Sequence, residues 1–199
     1  MDLFEAMATT RAMRRLDPNK DVSDEDILTI IEAATKAATG GNSQPVRWMV
    51  VRDAEKRRQL GDIYRECWQS VRGFYAKAEQ TPTTTRMLGS ADHLGEHMGE
   101  ASALILPCSK GEPGQAESSV FPGVQNLFLA ARALGLGTTL TTVHRFQEDK
   151  VREVLDIPAD VNTWALIPVG YPTGKWGEAK RRPVGDVTYW DTWKAPPPT

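Results

Sequence analysis

The chain has 199 residues, of which 40% are hydrophobic and 25% charged, and its formal net charge at pH 7 is -2. At this length a single domain, residues 1–199, with one core is expected. Because no long run of one charge sign could follow a phosphate backbone or an anionic membrane, nucleic acid and lipid surfaces are not expected as partners.

The N-terminus is acidic where a secretory leader would be basic, and no apolar run approaches the roughly 20 residues that cross a bilayer. Cys67 and Cys108 stand far apart and outside any C-x-x-C pattern, which predicts neither a disulfide framework nor a structural zinc site. His93 and His97 are four residues apart, but no glutamate follows His93 directly, so the H-E-x-x-H zinc motif is not matched. We expect a cytoplasmic protein with no metal centre.

The first predicted helix covers residues 24–38. Ser23 supplies an N-cap, acidic residues fill the first turn, and apolar residues recur at helical spacing. Gly40 and Gly41 end this helix, and residues 48–51 read as a short buried strand.

The middle of the chain continues the alternation of elements. Residues 54–78 are again helical in pattern, whereas residues 80–85 carry a proline and no periodicity, which predicts a loop. The continuous apolar run 103–108 predicts a central strand, and the glycines and proline of residues 111–114 predict a turn after it.

A further helix is expected to begin at Pro122 and to end at Gly135. The threonine-rich residues 138–143 predict a strand, residues 150–155 a short helix, and residues 163–169 another strand. Interleaved helices and strands indicate a mixed α+β domain.

The C-terminal stretch is rich in proline, glycine and tryptophan and lacks helical periodicity. It holds Trp176, Tyr189, Trp190 and Trp193, which is too aromatic for a free tail. We expect it to pack on a partner subunit.

Two basic clusters, residues 11–15 and 180–183, stand near opposite ends of the chain. A guanidinium group can bind a phosphate through two parallel hydrogen bonds, and two such clusters could clamp one phosphate. Taken singly, each cluster is also what a solvated surface looks like. The residues alone leave both interpretations open.

Two polar segments could approach a flat heterocycle. Residues 39–45 join a helix to a strand through Gly40 and Gly41, which permit close backbone approach, beside amide and hydroxyl side chains. Residues 140–143 end a predicted strand, where ligand crevices form. The simpler interpretation of the first segment is a capped helix followed by a polar turn, and that of the second is a run of β-branched strand formers.

The order of these clusters resembles the nitroreductase family of FMN enzymes over nearly the whole chain. Residues 11–14 are similar to the family's R-S-x-R element, and residues 38–46 to its P-S-x-x-N-x-Q-P-W loop. Residues 131–137 resemble A-x-x-L-G-L-G, residues 169–172 resemble V-G-Y-P, and residues 181–183 match a basic-x-Pro element.

The resemblance implies a mainly antiparallel sheet flanked by helices, in a homodimer with FMN at the interface. A C-terminal arm, residues 184–199, would pack on the partner subunit, and residues 72–99 would form a lid or insert.

The resemblance also implies which residues hold the cofactor. The phosphate would bind Arg11, Ala12, Arg14 and Arg181. The glycine loop would approach the flavin through Thr39, Gly40 and Asn42, and the isoalloxazine would lie along Leu140, Thr141 and Thr142. Two departures stand out: Thr10-Arg11-Ala12 replaces the usual Arg-Arg-Ser, and Val46 replaces a tryptophan, so FMN affinity is expected to be lower than usual.

The implied reaction is ping-pong: NADH or NADPH gives hydride to the flavin N5 and leaves, and an electron-poor acceptor such as a nitroaromatic or quinone follows. The flavin carries the chemistry, so no side chain is expected to be catalytic. A specialised relative such as a reductive dehalogenase, and a non-catalytic flavin-binding protein, would share the same cofactor motifs.

Overall fold

The structure of the protein is a computed structural model that describes residues 1–77, 81–110 and 116–198. Within these ranges helices and strands are interleaved along the chain, in the order α1 (Leu3–Thr9), α2 (Asp24–Thr35), β1 (Val46–Val51), α3 (Ala54–Ala76), α4 (Pro82–His97), β2 (Ala103–Lys110), α5 (Glu117–Ala133), β3 (Gly137–Thr138), α6 (Glu148–Leu155), β4 (Val161–Thr163) and β5 (Ile167–Gly170). In the part of the chain that the structure describes, no helix is long and apolar enough to cross a membrane.

The strands form one sheet with the order β1-β2-β5-β3, and β4 extends it by pairing with the far end of β2. Every strand pair is antiparallel, with Val46 opposite Ser109 and Ala103 opposite Val169. A parallel bridge between Ala12 and Thr138 adds the N-terminal segment to the β3 edge. The predicted mixed α+β architecture with a mainly antiparallel sheet is therefore confirmed.

Strand β2 is central, because it pairs with β1 on one edge and with β5 and β4 on the other, and both of its faces are covered. Alternate residues of the strand belong to different cores, as the period of two in a strand requires: Leu104 and Leu106 belong to one, Ala103 and Ile105 to the other. The first core contains residues of α3, α4 and α6, and the second contains residues of α2 and α5. The predicted buried strand at 103–108 is thus present and runs on to Lys110.

The segment expected to be a loop at residues 80–85 is instead the start of α4. The Thr81 side chain accepts from the Thr84 backbone N–H, the Thr84 side chain accepts from the Thr81 N–H, and Pro82 occupies the first turn. This capping box and the burial of Leu88 and Leu94 outweigh the weak helix propensity of three threonines. Gln80 itself lies outside the described residues.

Helix α5 begins at Glu117 rather than at Pro122, which lies inside the helix. A proline removes one hydrogen bond to the carbonyl four residues earlier, here that of Ser118. Since Ser118 is exposed, water can satisfy this carbonyl, and the helix tolerates the proline. The predicted turn at residues 111–114 lies outside the described residues.

The expected strand at residues 138–143 is much shorter, because only Gly137 and Thr138 pair with β5. Thr141 leaves the ladder and bonds Leu166 instead: its hydroxyl donates to the Leu166 carbonyl, and the Leu166 N–H donates to the Thr141 carbonyl at 3.0 Å. The expected strand at 163–169 is divided into β4 and β5, and between them the backbone of Leu166 makes these bonds to Thr141. The Trp164 indole donates to the Ser109 hydroxyl at 2.7 Å and lies in the core.

Candidate functional site

The N-terminal arginines follow α1 and run along the β3 edge of the sheet. Met13 fixes this segment: its N–H donates to the Thr138 carbonyl at 2.9 Å, and its buried side chain packs against Gly137. An added Cβ at Gly137 would lie 2.8 Å from the Met13 Cβ, so the segment can sit this close only beside glycine. Ala12 and Arg14, on either side of Met13, border the clefts described next.

A cleft of about 420 Å³ brings the two basic clusters together. Two backbone hydrogen bonds hold the C-terminal segment against the N-terminal one, from the Ala179 N–H to Ala8 and from the Thr173 N–H to Arg15, both at 3.0 Å. The cleft is lined by cations and one carboxylate, with small residues between them: Arg11, Ala12, Arg14, Thr83, Arg86, Glu178, Ala179, Lys180 and Arg181. The predicted phosphate residues Arg11, Ala12, Arg14 and Arg181 thus lie around one cleft.

Arg14 is the most buried cation of this cleft. Burial lowers the pKa of its guanidinium from the usual value, because a charge is less stable away from water. Among the described residues, no carboxylate forms an ion pair with Arg11, Arg14, Arg86 or Arg181. The cleft therefore holds positive charge that an anionic ligand would stabilise.

Arg14 also borders a second cleft, of about 150 Å³, that is lined by aromatic side chains. Its other lining residues come from α3, α4 and the segment after β3: Tyr64, Trp68, Tyr75, Met87, Ala91, Leu140, Thr141, Thr142 and Val143. Burial raises the pKa of Tyr64 to about 12 despite the nearby Arg14, so this phenol keeps its proton at neutral pH. Leu140, Thr141 and Thr142 thus border an aromatic cleft that meets the basic cleft at Arg14.

Helix α4 contributes lining residues to both clefts and is held to its neighbours by polar contacts. Asp92 accepts from the Trp68 indole at 2.9 Å and from Arg72 at 2.7 Å, which connects α4 to α3. His93 Nδ1 lies 3.0 Å from an Arg15 nitrogen, which connects α4 to the arginine segment. Within the described ranges, no group of three or more histidine, cysteine or acidic side chains is arranged to hold a metal ion.

The glycine loop lies elsewhere in the chain. Gly41 and Asn42 adopt positive φ angles of 56° and 53°, which glycine and asparagine tolerate best. The Gly40 N–H donates to Ser119 Oγ at 3.0 Å, and Thr39 Oγ1 accepts from the Gln44 N–H at 3.1 Å. Thr39 borders a separate cleft of about 210 Å³ next to β1.

The glycine loop lies far from the arginine segment within one chain. Across the sheet, four strand spacings, or about 19 Å, separate β1 from the Ala12 segment. Along β2, the start of β1 is level with Ser109 and Ala12 is level with Ala103, which are about 20 Å apart. The direct distance between the loop and the arginine segment is therefore roughly 28 Å. Helix α5 gives an independent value: Ser119 bonds the loop and Arg132 bonds Thr9, about 20 Å further along the helix axis. One chain therefore does not bring Thr39, Gly40 and Asn42 to the clefts around Arg14.

Sequence reasoning missed Arg86, Tyr64 and Trp68. A signal for α4 was present, because Thr81 and Thr84 with Pro82 between them form a helix start. Recognising it would have placed Arg86 on a helix, but not beside Arg14, because that contact depends on how α4 packs.

Comparison with known proteins places the chain among relatives. The model of the nitroreductase family matches residues 7–171. A protein of Archaeoglobus fulgidus provisionally named NADH dehydrogenase/NAD(P)H nitroreductase is 27% identical over 83% of this chain and 83% of its own length. An iodotyrosine deiodinase of Thermotoga neapolitana is 27% identical over 85% of this chain and 88% of its own.

Solved structures of low sequence identity share the fold. An iodotyrosine deiodinase bound to FMN and 3-iodo-L-tyrosine superposes with a TM-score of 0.76, at 24% identity over 96% of this chain and 100% of its own. An FMN and NADPH-dependent nitroreductase from Sphigopyxis sp. strain HMH superposes with a TM-score of 0.75, at 17% identity over 97% of this chain and 100% of its own. Because the family model spans most of the chain and the fold agrees with it, the chain belongs to the nitroreductase family.

Proposed function

We propose that the protein is an FMN-dependent oxidoreductase that passes electrons from NADH or NADPH to a small electron-poor acceptor. The observation that carries the proposal is the meeting of a basic cleft and an aromatic cleft at Arg14. A phosphorylated ligand with a flat ring system needs such a pair of neighbouring sites. FMN is a ligand of this kind, and it is bound in the related deiodinase structure.

The basic cleft would hold the FMN phosphate. Arg11, Arg14 and Arg181 can each donate charge-assisted hydrogen bonds, and Ala12 contributes a backbone segment without a bulky side chain. The fit rests on Arg14, whose partly buried charge has no carboxylate partner among the described residues. A phosphate dianion would supply the missing negative charge.

The aromatic cleft would hold the ring system and the acceptor. Leu140, Thr141 and Thr142 would lie along the isoalloxazine, and the paired bonds between Thr141 and Leu166 keep that segment in place. Tyr64, Trp68 and Tyr75 add aromatic side chains to the lining of this space, which suits a planar acceptor. Helix α4, within the expected lid of residues 72–99, would exclude water from this space.

The glycine loop would reach the flavin only from a second copy of the chain. Thr39, Gly40 and Asn42 stand roughly 20 to 28 Å from the arginine segment, beyond the reach of a mononucleotide held at Arg14. In a homodimer with FMN at the interface, the loop of one subunit would meet the arginines of the other. Each FMN would then contact both the arginine segment of one subunit and the glycine loop of the other.

Exposed apolar side chains support this assembly. Helix α1 has three apolar side chains that are at least half exposed, those of Leu3, Phe4 and Met7. Trp190 in the C-terminal segment is also about half exposed. Trp193 is 79% exposed, and its ring centroid lies 4.6 Å from that of Tyr189 in the same segment. A second copy would cover these groups, with the arm of residues 184–199 packed on the partner subunit.

When bound, FMN would supply the redox chemistry by a ping-pong sequence: a hydride, carrying two electrons, enters from the nicotinamide, and two electrons and two protons leave to the acceptor, one proton coming from solvent. The protein's side chains bind and orient the reactants and need not form a covalent bond. We assign no catalytic side chain.

One alternative has a specific observation behind it. The Thermotoga neapolitana relative is a deiodinase, and the aromatic cleft here could also accept a halogenated phenol. A reductive dehalogenase would use the same cofactor site and differ in the acceptor. A non-catalytic flavin-binding protein would bind FMN but would not oxidise the donor.

Purification followed by flavin analysis and a turnover panel separates these functions. We expect a yellow protein that releases FMN on denaturation and oxidises NAD(P)H with a quinone or a nitroaromatic. Recovery of FAD, or of no flavin after incubation with FMN, would overturn the cofactor assignment. Turnover restricted to halogenated phenols would favour the dehalogenase, and FMN binding without any turnover would favour the non-catalytic protein.

A further inference from the structure

The basic cleft continues into a neighbouring cleft of about 470 Å³, whose additional lining residues are not among the predicted cofactor contacts. The two clefts share Arg11, Ala12, Arg14 and Arg86. The additional space is lined by two further cations, by one methionine and by small residues: Arg15, Lys175, Met13, Gly89, Ser90 and Gly174.

The charge along this surface exceeds what one phosphate monoester can neutralise. The first cleft has five cationic side chains and one carboxylate, Glu178, which leaves a surplus of four positive charges. One phosphate monoester carries a charge of about -2. Arg15 and Lys175 then add to the remaining surplus, and neither forms an ion pair with a carboxylate among the described residues.

The walls of the second cleft leave room for a ligand. Arg86, Gly89 and Ser90 are three and four residues apart, so they share one face of α4. A Cβ added at Gly89 or at Gly174 would meet nothing within 4 Å, so both walls are open. A guanidinium, a hydroxyl and an ammonium group thus surround an open space beside the cofactor cleft, which suits a second phosphate.

We propose that this second cleft binds the 2′-phosphate of a phosphorylated nicotinamide dinucleotide, so that the protein uses NADPH in preference to NADH. The inference rests on the proposed function, because the donor must place its nicotinamide in the aromatic cleft. A donor that extends away from that cleft past Arg14 meets these cations. The 2′-phosphate is the group that distinguishes NADPH from NADH, and its negative charge would neutralise the surplus cations.

Donor kinetics with matched variants test the proposal. The ratio of kcat/KM for NADPH to that for NADH is measured in the FMN-loaded wild type, in Lys175→Gln and in Arg86→Gln. Lys110→Gln is the control, since Lys110 is an exposed cation paired with Asp160 at the other end of β2. We expect a wild-type ratio of about ten or more, a fall of about tenfold in each cleft variant, and no change in the control.

A binding measurement gives a readout besides turnover. By calorimetry, adenosine 2′,5′-bisphosphate should bind the FMN-loaded protein at least about tenfold more tightly than adenosine 5′-monophosphate, and Lys175→Gln should abolish the difference. Equal affinities, or a wild-type donor ratio near one, would overturn the proposal. Inorganic phosphate that competes with the acceptor but not with the donor would assign the second phosphate to the acceptor and would also overturn it.

The outcomes also separate this inference from the proposed function. If Arg86→Gln and Lys175→Gln lose FMN while the donor ratio stays constant, these cations serve the cofactor and the donor subsite is wrong. If neither donor is oxidised, the proposed function fails, whereas preferential binding of the 2′-phosphorylated nucleotide would still support the subsite.

Discussion

Mixed dimers should recover one intact cofactor site from two defective chains. In the proposed assembly each site combines the arginines of one subunit with the glycine loop of the other. Arg14→Gln in one copy and Asn42→Asp in the other then place both defects in one site of the heterodimer and leave the second site wild type. If one chain supplied both halves, each site of the heterodimer would carry one defect.

The expected magnitudes follow from the contacts. Arg14→Gln removes a charge-assisted hydrogen bond to phosphate, which costs about 1.5 to 3 kcal/mol, or about 10- to 150-fold in the dissociation constant of FMN. Asn42→Asp replaces an amide donor by a carboxylate and preserves the local backbone, because aspartate also tolerates the φ of 53° found at Asn42. Both homodimers should therefore bind FMN weakly at each of their two sites.

Two affinity tags on co-expressed chains allow the heterodimer to be isolated, and quenching of FMN fluorescence gives both stoichiometry and affinity. We expect one FMN per heterodimer to bind with wild-type affinity. The tagged wild-type dimer, with two such sites, is the control. A heterodimer with no wild-type site would refute the reasoning that the separated loop and arginines meet across two subunits.

Three further predictions concern stability. Removing the residues after Val187 should lower both dimer stability and FMN retention, since the contacts that exposed rings such as Trp190 are expected to make with the partner subunit are lost. Light scattering measures the dimer, and the flavin-to-protein absorbance ratio measures FMN retention. A truncated protein that stays dimeric and fully loaded with FMN would contradict the prediction. Burial lowers the pKa of His144 to about 4, so the neutral imidazole contributes stability above pH 6.5 that is lost as the pH falls toward 4, about 3 kcal/mol in all. The difference in the free energy of urea unfolding between wild type and His144→Gln should therefore shrink in this pH range. Parallel curves of unfolding free energy against pH for the two proteins would argue against it. Gly137→Ala should lower the free energy of unfolding by about 1 to 3 kcal/mol, because the added methyl group would crowd Met13. The control Gly73→Ala, on an open face of α3, should instead raise the melting temperature. Equal shifts of the two melting temperatures would contradict the prediction.

The local structure could be predicted well where local forces decide it. Ser23 caps α2 as expected, because a hydroxyl before an acidic first turn satisfies free backbone N–H groups whatever lies further away. The apolar run after Ala103 became the central strand, since only burial on both faces suits such a run. The expectation of a loop at residues 80–85 was wrong, because the capping contacts of Thr81 and Thr84 were not recognised.

The sequence by itself determined the α+β class, the main helices and strands and the family motifs, since these depend on residues close together in the chain. Only the tertiary structure decided which motifs meet. The order β1-β2-β5-β3 brings Arg11 and Arg14 to Arg181 and leaves Asn42 at the opposite edge. No local pattern encodes this order, because it results from the packing of elements that are distant in sequence. The same packing placed Arg86 of α4 beside Arg14, and with it the surplus charge that points to a second phosphate.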